Sequence, residues 1–177
     1  MRTALAMLAL AVGVSSLACS GATQQTDVPQ DKTEITVAAS GLKVTAAIAS
    51  VSLGESYANV QLAFLAGEAT NSASVEIVSV TLLDSSNGSV VDTLDASTPQ
   101  VWNGGGYVPW NQRIAPGGDL KASYQLTAPD WARMNKTSTG STSAYARSFK
   151  LRVKLRIDGV DVLMQSTDLH QEPVFQT

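Results

Sequence analysis

The chain has 177 residues, of which 44% are hydrophobic and only 15% charged, with a formal net charge of −3. That balance excludes a disordered chain, which is poorer in apolar residues, and it provides no overall field to draw nucleic acid. One cysteine and one histidine exclude an internal disulfide framework, a zinc site built from several thiolates and most histidine-based metal centres, so no cofactor is expected.

Residues 1–18 read as a signal peptide. Arg2 precedes an apolar run from Ala4 to Leu17, and small residues follow it. The run, roughly 14 residues, falls short of the roughly 20 needed to span a bilayer. Two processing routes stay open. Ser16-Leu17-Ala18 suits an ordinary signal peptidase cutting before Cys19. Leu17-Ala18-Cys19 also resembles the lipobox of bacterial lipoproteins, and a lone cysteine in an exported chain finds both its number and its place explained by lipidation. The resemblance implies acyl chains on Cys19 that hold the protein on a membrane, each buried methylene adding roughly 0.8 kcal/mol. It also implies the outer membrane of a Gram-negative envelope, because Ser20 rather than aspartate follows the cysteine. Residues 19–33 then read as a tether. They lack an apolar period, and Pro29 opposes a helix.

Residues 34–177 read as one domain with a period of two. Leu42, Val44, Ala46 and Ile48 alternate with Lys43 and Thr45, and Val60, Leu62 and Phe64 alternate with Gln61. Residues 74–83 form a β-branched, apolar strand that ends at the turn Asp84-Ser-Ser-Asn-Gly88, and residues 89–94 return across it. After the turn Pro116-Gly117-Gly118, Leu120, Ala122, Tyr124 and Leu126 alternate strictly. Residues 130–136 form one helical turn, and residues 137–143 a polar loop. The clearest hairpin is the last. Phe149, Leu151, Val153, Leu155 and Ile157 alternate with Lys150, Arg152, Lys154 and Arg156 before Asp158-Gly159, a type I′ signal. Placing Ile157 opposite Val160 sets Leu155 against Val162, Val153 against Met164 and Arg156 against Asp161. Eight or nine short strands without a helical period predict an all-β, immunoglobulin-like antiparallel sandwich.

An ordered series supports that class: Gly67 to Asn71, Val78-Ser-Val-Thr-Leu-Leu-Asp84, Asn87-Gly88 and Ile114-Ala-Pro116-Gly117. It resembles the bacterial extracellular immunoglobulin-like modules of the FxLYD type over about residues 58–126. The resemblance implies a sandwich and a non-catalytic role.

Chemistry-bearing clusters are sparse. A serine nucleophile would need His170 as its base, but no G-x-S-x-G elbow is present, and the bland reading is a surface histidine near a chain end. Asp92 with Asp95, and Asp158 with Asp161, are neighbouring carboxylates that nothing singles out as a catalytic pair. Asp84 to Gly88 lacks the alternating ligands of a calcium loop and reads as a turn.

Two features draw more interest. Trp102, Tyr107 and Trp110 cluster around three glycines; exposed, they form a platform for a sugar or a protein, and in the alternative Trp102 and Trp110 cap one open end of the sandwich. Arg147, Lys150, Arg152, Lys154 and Arg156 form a basic row; it suits an anionic membrane surface or polymer, or it is a solvated strand face. The expected protein is therefore a non-enzymatic envelope lipoprotein serving as a structural or protein-interaction module, with a glycan-binding module using an aromatic glycine-rich loop (Trp102, Tyr107, Trp110) as the alternative. Its partners are the membrane and an envelope protein or glycan, not nucleic acid.

Overall fold

The computed structural model describes residues 32–39, 41–68, 71–137 and 143–173. The signal peptide, Cys19, nearly all of the tether and residues 138–142 of the polar loop lie outside the described residues.

Eleven strands form two antiparallel sheets: β1 (Glu34–Ala39), β2 (Leu42–Leu53), β3 (Ala58–Ala66), β4 (Ala73–Asp84), β5 (Val90–Leu94), β6 (Gln100–Trp102), β7 (Tyr107–Pro109), β8 (Arg113–Ile114), β9 (Asp119–Leu126), β10 (Phe149–Ile157) and β11 (Val160–Gln165). The first sheet runs β1-β2-β3-β9-β6-β7, and the second runs β11-β10-β4-β5 with β8 paired to the start of β4. Within these orders, β2-β3-β9-β6 facing β11-β10-β4 is the strand arrangement of an immunoglobulin-type sandwich. The count exceeds the expected eight or nine because residues 100–114 break into three pieces of two or three residues each and β1 adds an edge.

Period-two alternation builds the core. Val44, Leu62, Phe64 and Tyr124 point inward from the first sheet and meet Val80, Leu82, Leu151, Val153 and Leu155 of the second. Burying each of these aliphatic side chains or Phe64 stabilises the fold by about 1.5–3 kcal/mol, and this burial holds the sheets together without a disulfide. The register of β10 and β11 pairs Ile157 with Val160, Leu155 with Val162, Val153 with Met164 and Arg156 with Asp161, as the sequence pattern requires. Asp158 (φ 44°) and Gly159 (φ 82°) are both left-handed, the conformation a type I′ turn demands.

Between β9 and β10 the chain crosses from one sheet to the other through a short helix, α1 (Trp131–Thr137), and a 3-10 turn (Ala144–Ala146). Trp131 anchors this crossing: its indole N–H donates to the Gly54 carbonyl at 2.9 Å, and its ring meets Phe149 edge-on at 5.6 Å. At the opposite edge, the Gln165 amide donates to the Lys32 carbonyl at 3.0 Å, so the chain enters the sandwich where β1 lies alongside β11.

Candidate functional site

The aromatic-glycine segment is a hairpin, not a loop. Strands β6 and β7 pair Val101 with Val108 and Trp102 with Tyr107 at the edge of the six-stranded sheet. Asn103 shapes the turn between them: its side-chain oxygen accepts from the Gly105 amide at 3.0 Å and the Gly106 amide at 3.1 Å. Gly104, at φ 94°, supplies a backbone conformation that L side chains rarely adopt. Because Val101 turns toward the core, alternation sends Trp102 and its cross-strand neighbour Tyr107 to the outer face. They are 60% and 54% exposed, with ring centroids 5.4 Å apart and planes inclined at 73°. Trp110 does not join them. It is only 8% exposed, lies 5.5 Å from the Phe64 ring, and donates its indole N–H to the Arg113 carbonyl at 3.1 Å. The expected trio therefore divides: Trp110 fills the core, while Trp102 caps nothing and stands in solvent with Tyr107.

The basic row occupies the outer face of β10, but carboxylates meet it. Arg156 donates to Asp161 at 2.8 Å and lies 3.8 Å from Glu76, and Lys154 reaches the other oxygen of Asp161 at 2.7 Å. These two hydrogen bonds, from Arg156 first, hold the Asp161 carboxyl below its usual range, and the bond to Asp161 raises Arg156. Lys150 lies 3.8 Å from Asp168, and Arg152 donates twice to the Gln165 side-chain oxygen at 3.2 Å. Arg147 binds Asp84. Four of the five cations thus meet carboxylates while Arg152 meets the neutral Gln165, and five positive charges stand against four negative ones.

One cleft escaped the sequence reading. Asp84, Ser85 and Ser86 from the β4–β5 turn, Ala146 to Ser148 ahead of β10, and Asp168 line about 430 Å³ at one end of the sandwich. Its polar groups largely satisfy one another. Asp84 accepts from the Ser86 amide and hydroxyl as well as from Arg147, and Ser85 donates to Asp168 at 3.0 Å. Burial pushes the Asp84 carboxyl up, but the bonds from Ser86 and Arg147 outweigh it and hold the group below the usual carboxylate value. His170 sits beside this cleft with Nδ1 3.2 Å from the Arg147 carbonyl oxygen and its ring exposed. No signal in sequence joins residues 84–86, 146–148 and 168, because only tertiary folding brings them together.

Asp95 follows the end of β5, where its backbone amide donates to the Thr127 hydroxyl at 3.0 Å. Asp84 to Gly88 forms a turn in which the Gly88 amide donates to the Asp84 carbonyl at 2.8 Å. Asp92 is taken up by α1, accepting from the Asp130 amide at 2.8 Å and from Arg133 at 2.9 Å. Asp158 accepts from the amide and hydroxyl of Ser74. Among the described residues, no three His, Cys, Asp or Glu side chains gather to hold a metal ion. No family model matches the chain, and no curated protein matches its sequence.

Proposed function

We propose that this chain is a non-enzymatic lipoprotein of the cell envelope, held on the membrane through acylated Cys19. Its FxLYD-like immunoglobulin domain is an interaction module that contacts another envelope component through Trp102 and Tyr107. The observation that carries this reading is the pair of exposed rings on a hairpin rigidified by Asn103. Tryptophan and tyrosine, with arginine, are enriched at binding hot spots, and here the two rings adjoin on one face instead of standing singly. Placement agrees with the role. The chain enters the domain at the β1 edge, whereas the rings lie at the β7 edge, five strand spacings or roughly 24 Å away. A membrane tether joined at β1 therefore leaves the rings clear of the anchor.

An envelope protein and a glycan are the two partner classes that such rings serve. The basic row supports neither, since four of its five cations are met by Asp84, Asp161, Asp168 and Glu76 and the fifth, Arg152, by Gln165. The test replaces Trp102 and Tyr107 together with alanine in the full chain and measures retention on isolated envelope fractions. Retention should fall at least about tenfold while the cooperative thermal transition is unchanged. Undiminished retention overturns the contact. Fatty-acid labelling that persists in Cys19→Ala overturns the anchor.

A further inference from the structure

Two asparagine–glycine steps lie in exposed turns: Asn87-Gly88 between β4 and β5, and Asn103-Gly104 at the tip of the aromatic hairpin. Such a step can close on itself, because the glycine nitrogen reaches the preceding side-chain carbon with no Cβ in the way. The two turns prepare that reaction differently. At the first the nucleophile is occupied, since the Gly88 amide donates to the Asp84 carbonyl at 2.8 Å. At the second, no group among the described residues accepts from the Gly104 amide, and a Cβ placed there would meet nothing within 4 Å. The electrophiles differ as well. The Asn87 side-chain oxygen accepts from one amide, that of Ser89, at 2.8 Å. The Asn103 side-chain oxygen accepts from two, those of Gly105 at 3.0 Å and Gly106 at 3.1 Å. Two donors on one carbonyl oxygen polarise its carbon and meet the negative charge that the oxygen gains under attack.

We propose that Asn103 is a self-modification site that deamidates through Gly104 in preference to Asn87. The Gly104 nitrogen loses its proton to solvent base and bonds to the Asn103 side-chain carbon. The carbon–nitrogen bond of the carboxamide then breaks, and the leaving nitrogen takes up a proton and departs as ammonia. Water opens the resulting succinimide at either carbonyl, giving aspartate or isoaspartate, and nothing is oxidised or reduced. Either product sets a carboxylate next to Trp102 in the chain. Isoaspartate also inserts a methylene into the backbone of the turn that pairs Trp102 with Tyr107. The reaction needs no partner for the rings and so stands apart from their reading as a contact. Where that contact forms, the change weakens it as the protein ages.

The test follows the full chain in detergent at mildly alkaline pH, by peptide mapping with mass spectrometry and isoaspartate detection. Asn103 is expected to convert at least about fivefold faster than Asn87, the size of effect that a hydrogen bond carries at an exposed turn. In guanidinium chloride the two steps should convert at similar rates, because neither turn survives there. Gly104→Ala should slow conversion of Asn103 about tenfold or more and leave that of Asn87 unchanged. Equal or faster conversion of Asn87 in the folded wild-type chain overturns the proposal. So does a preference for Asn103 of the same size in denaturant, which would assign it to sequence alone. An Asn103 that stays intact in the folded chain while the unfolded chain converts overturns it too, and an undiminished rate in Gly104→Ala removes Gly104 as the nucleophile.

Discussion

Arg147 holds Asp84 across the mouth of the β4–β5 turn while its guanidinium lies 5.4 Å from the centroid of the Phe149 ring. One cation thus ties the crossing between the sheets to the end of β4 and covers a core aromatic. The Asp84 carboxyl is held below its ordinary value, so the group favours the folded state above that value, and the contribution disappears as pH falls through the folded pKa. Thermal stability should decline on acidification below about pH 4, and the decline should be shallower in Asp84→Asn. At neutral pH, Asp84→Ala leaves Arg147 without its carboxylate and should cost about 1–3 kcal/mol. Urea midpoints measured across pH check both statements, and parallel acid limbs for wild type and Asp84→Asn would refute the linkage.

The same region shows what the sequence alone could reveal. The row from Lys150 to Arg156 is legible because alternation on β10 is strict and Asp158-Gly159 fixes the return register. The carboxylates that meet it are not legible, since Glu76, Asp84 and Asp168 arrive from other elements. The aromatic segment illustrates a second limit. Its strands hold three residues each, too few for a period to declare itself, and three consecutive glycines read as a loop although they turn a hairpin. Trp102 and Trp110 look equivalent in sequence. They separate because one follows the inward-facing Val101 inside a strand, whereas the other follows the end of β7 and folds onto Phe64.

Tyr124 is the conspicuous imperfection of the core. It is 1% exposed, and its hydroxyl finds no hydrogen-bond partner among the described residues. Burial pushes its pKa above the ordinary tyrosine value, so ionisation is disfavoured in the folded state and stability falls as pH rises past the unfolded pKa, near 10. Tyr124→Phe removes a desolvated hydroxyl without opening a cavity. It should leave stability at neutral pH unchanged or raise it by about 1 kcal/mol, and it should flatten the alkaline limb. A loss above about 2 kcal/mol in chemical denaturation would mean that the hydroxyl is satisfied in solution.

The turn before β9 joins distant parts of the motif series: the Gly117 amide donates to the Gly67 carbonyl at 2.9 Å, and the Gly118 amide donates to the Ala115 carbonyl at 2.9 Å. Gly117 has φ 66°, and a Cβ there would lie 3.0 Å from the movable end of Glu68; at Gly118 it would lie 2.8 Å from the Ala115 backbone oxygen. Glu68 can swing away, but the Ala115 carbonyl cannot without opening the turn. Gly117→Ala should cost about 1 kcal/mol, chiefly in backbone strain, and Gly118→Ala should cost more. Equal denaturation midpoints for the two variants would contradict this ordering.

Asn103 separates the shape of the aromatic hairpin from the stability of the domain. Its side-chain oxygen accepts from the Gly105 and Gly106 amides, and its own amide donates to the Gly106 carbonyl at 3.1 Å. Asn103→Ala removes the first two bonds at an exposed edge, outside the buried cluster, so global stability should move by less than about 1 kcal/mol. The turn residues are left with more conformations, and the tilted contact of Trp102 with Tyr107 loses its fixed geometry. The near-ultraviolet dichroism of the ring pair should weaken while the far-ultraviolet β signal persists. Because a partner would then have to order the hairpin on binding, affinity should fall even though neither ring has been touched. A variant that keeps both the aromatic dichroism and full binding would show that β6–β7 pairing alone positions the rings.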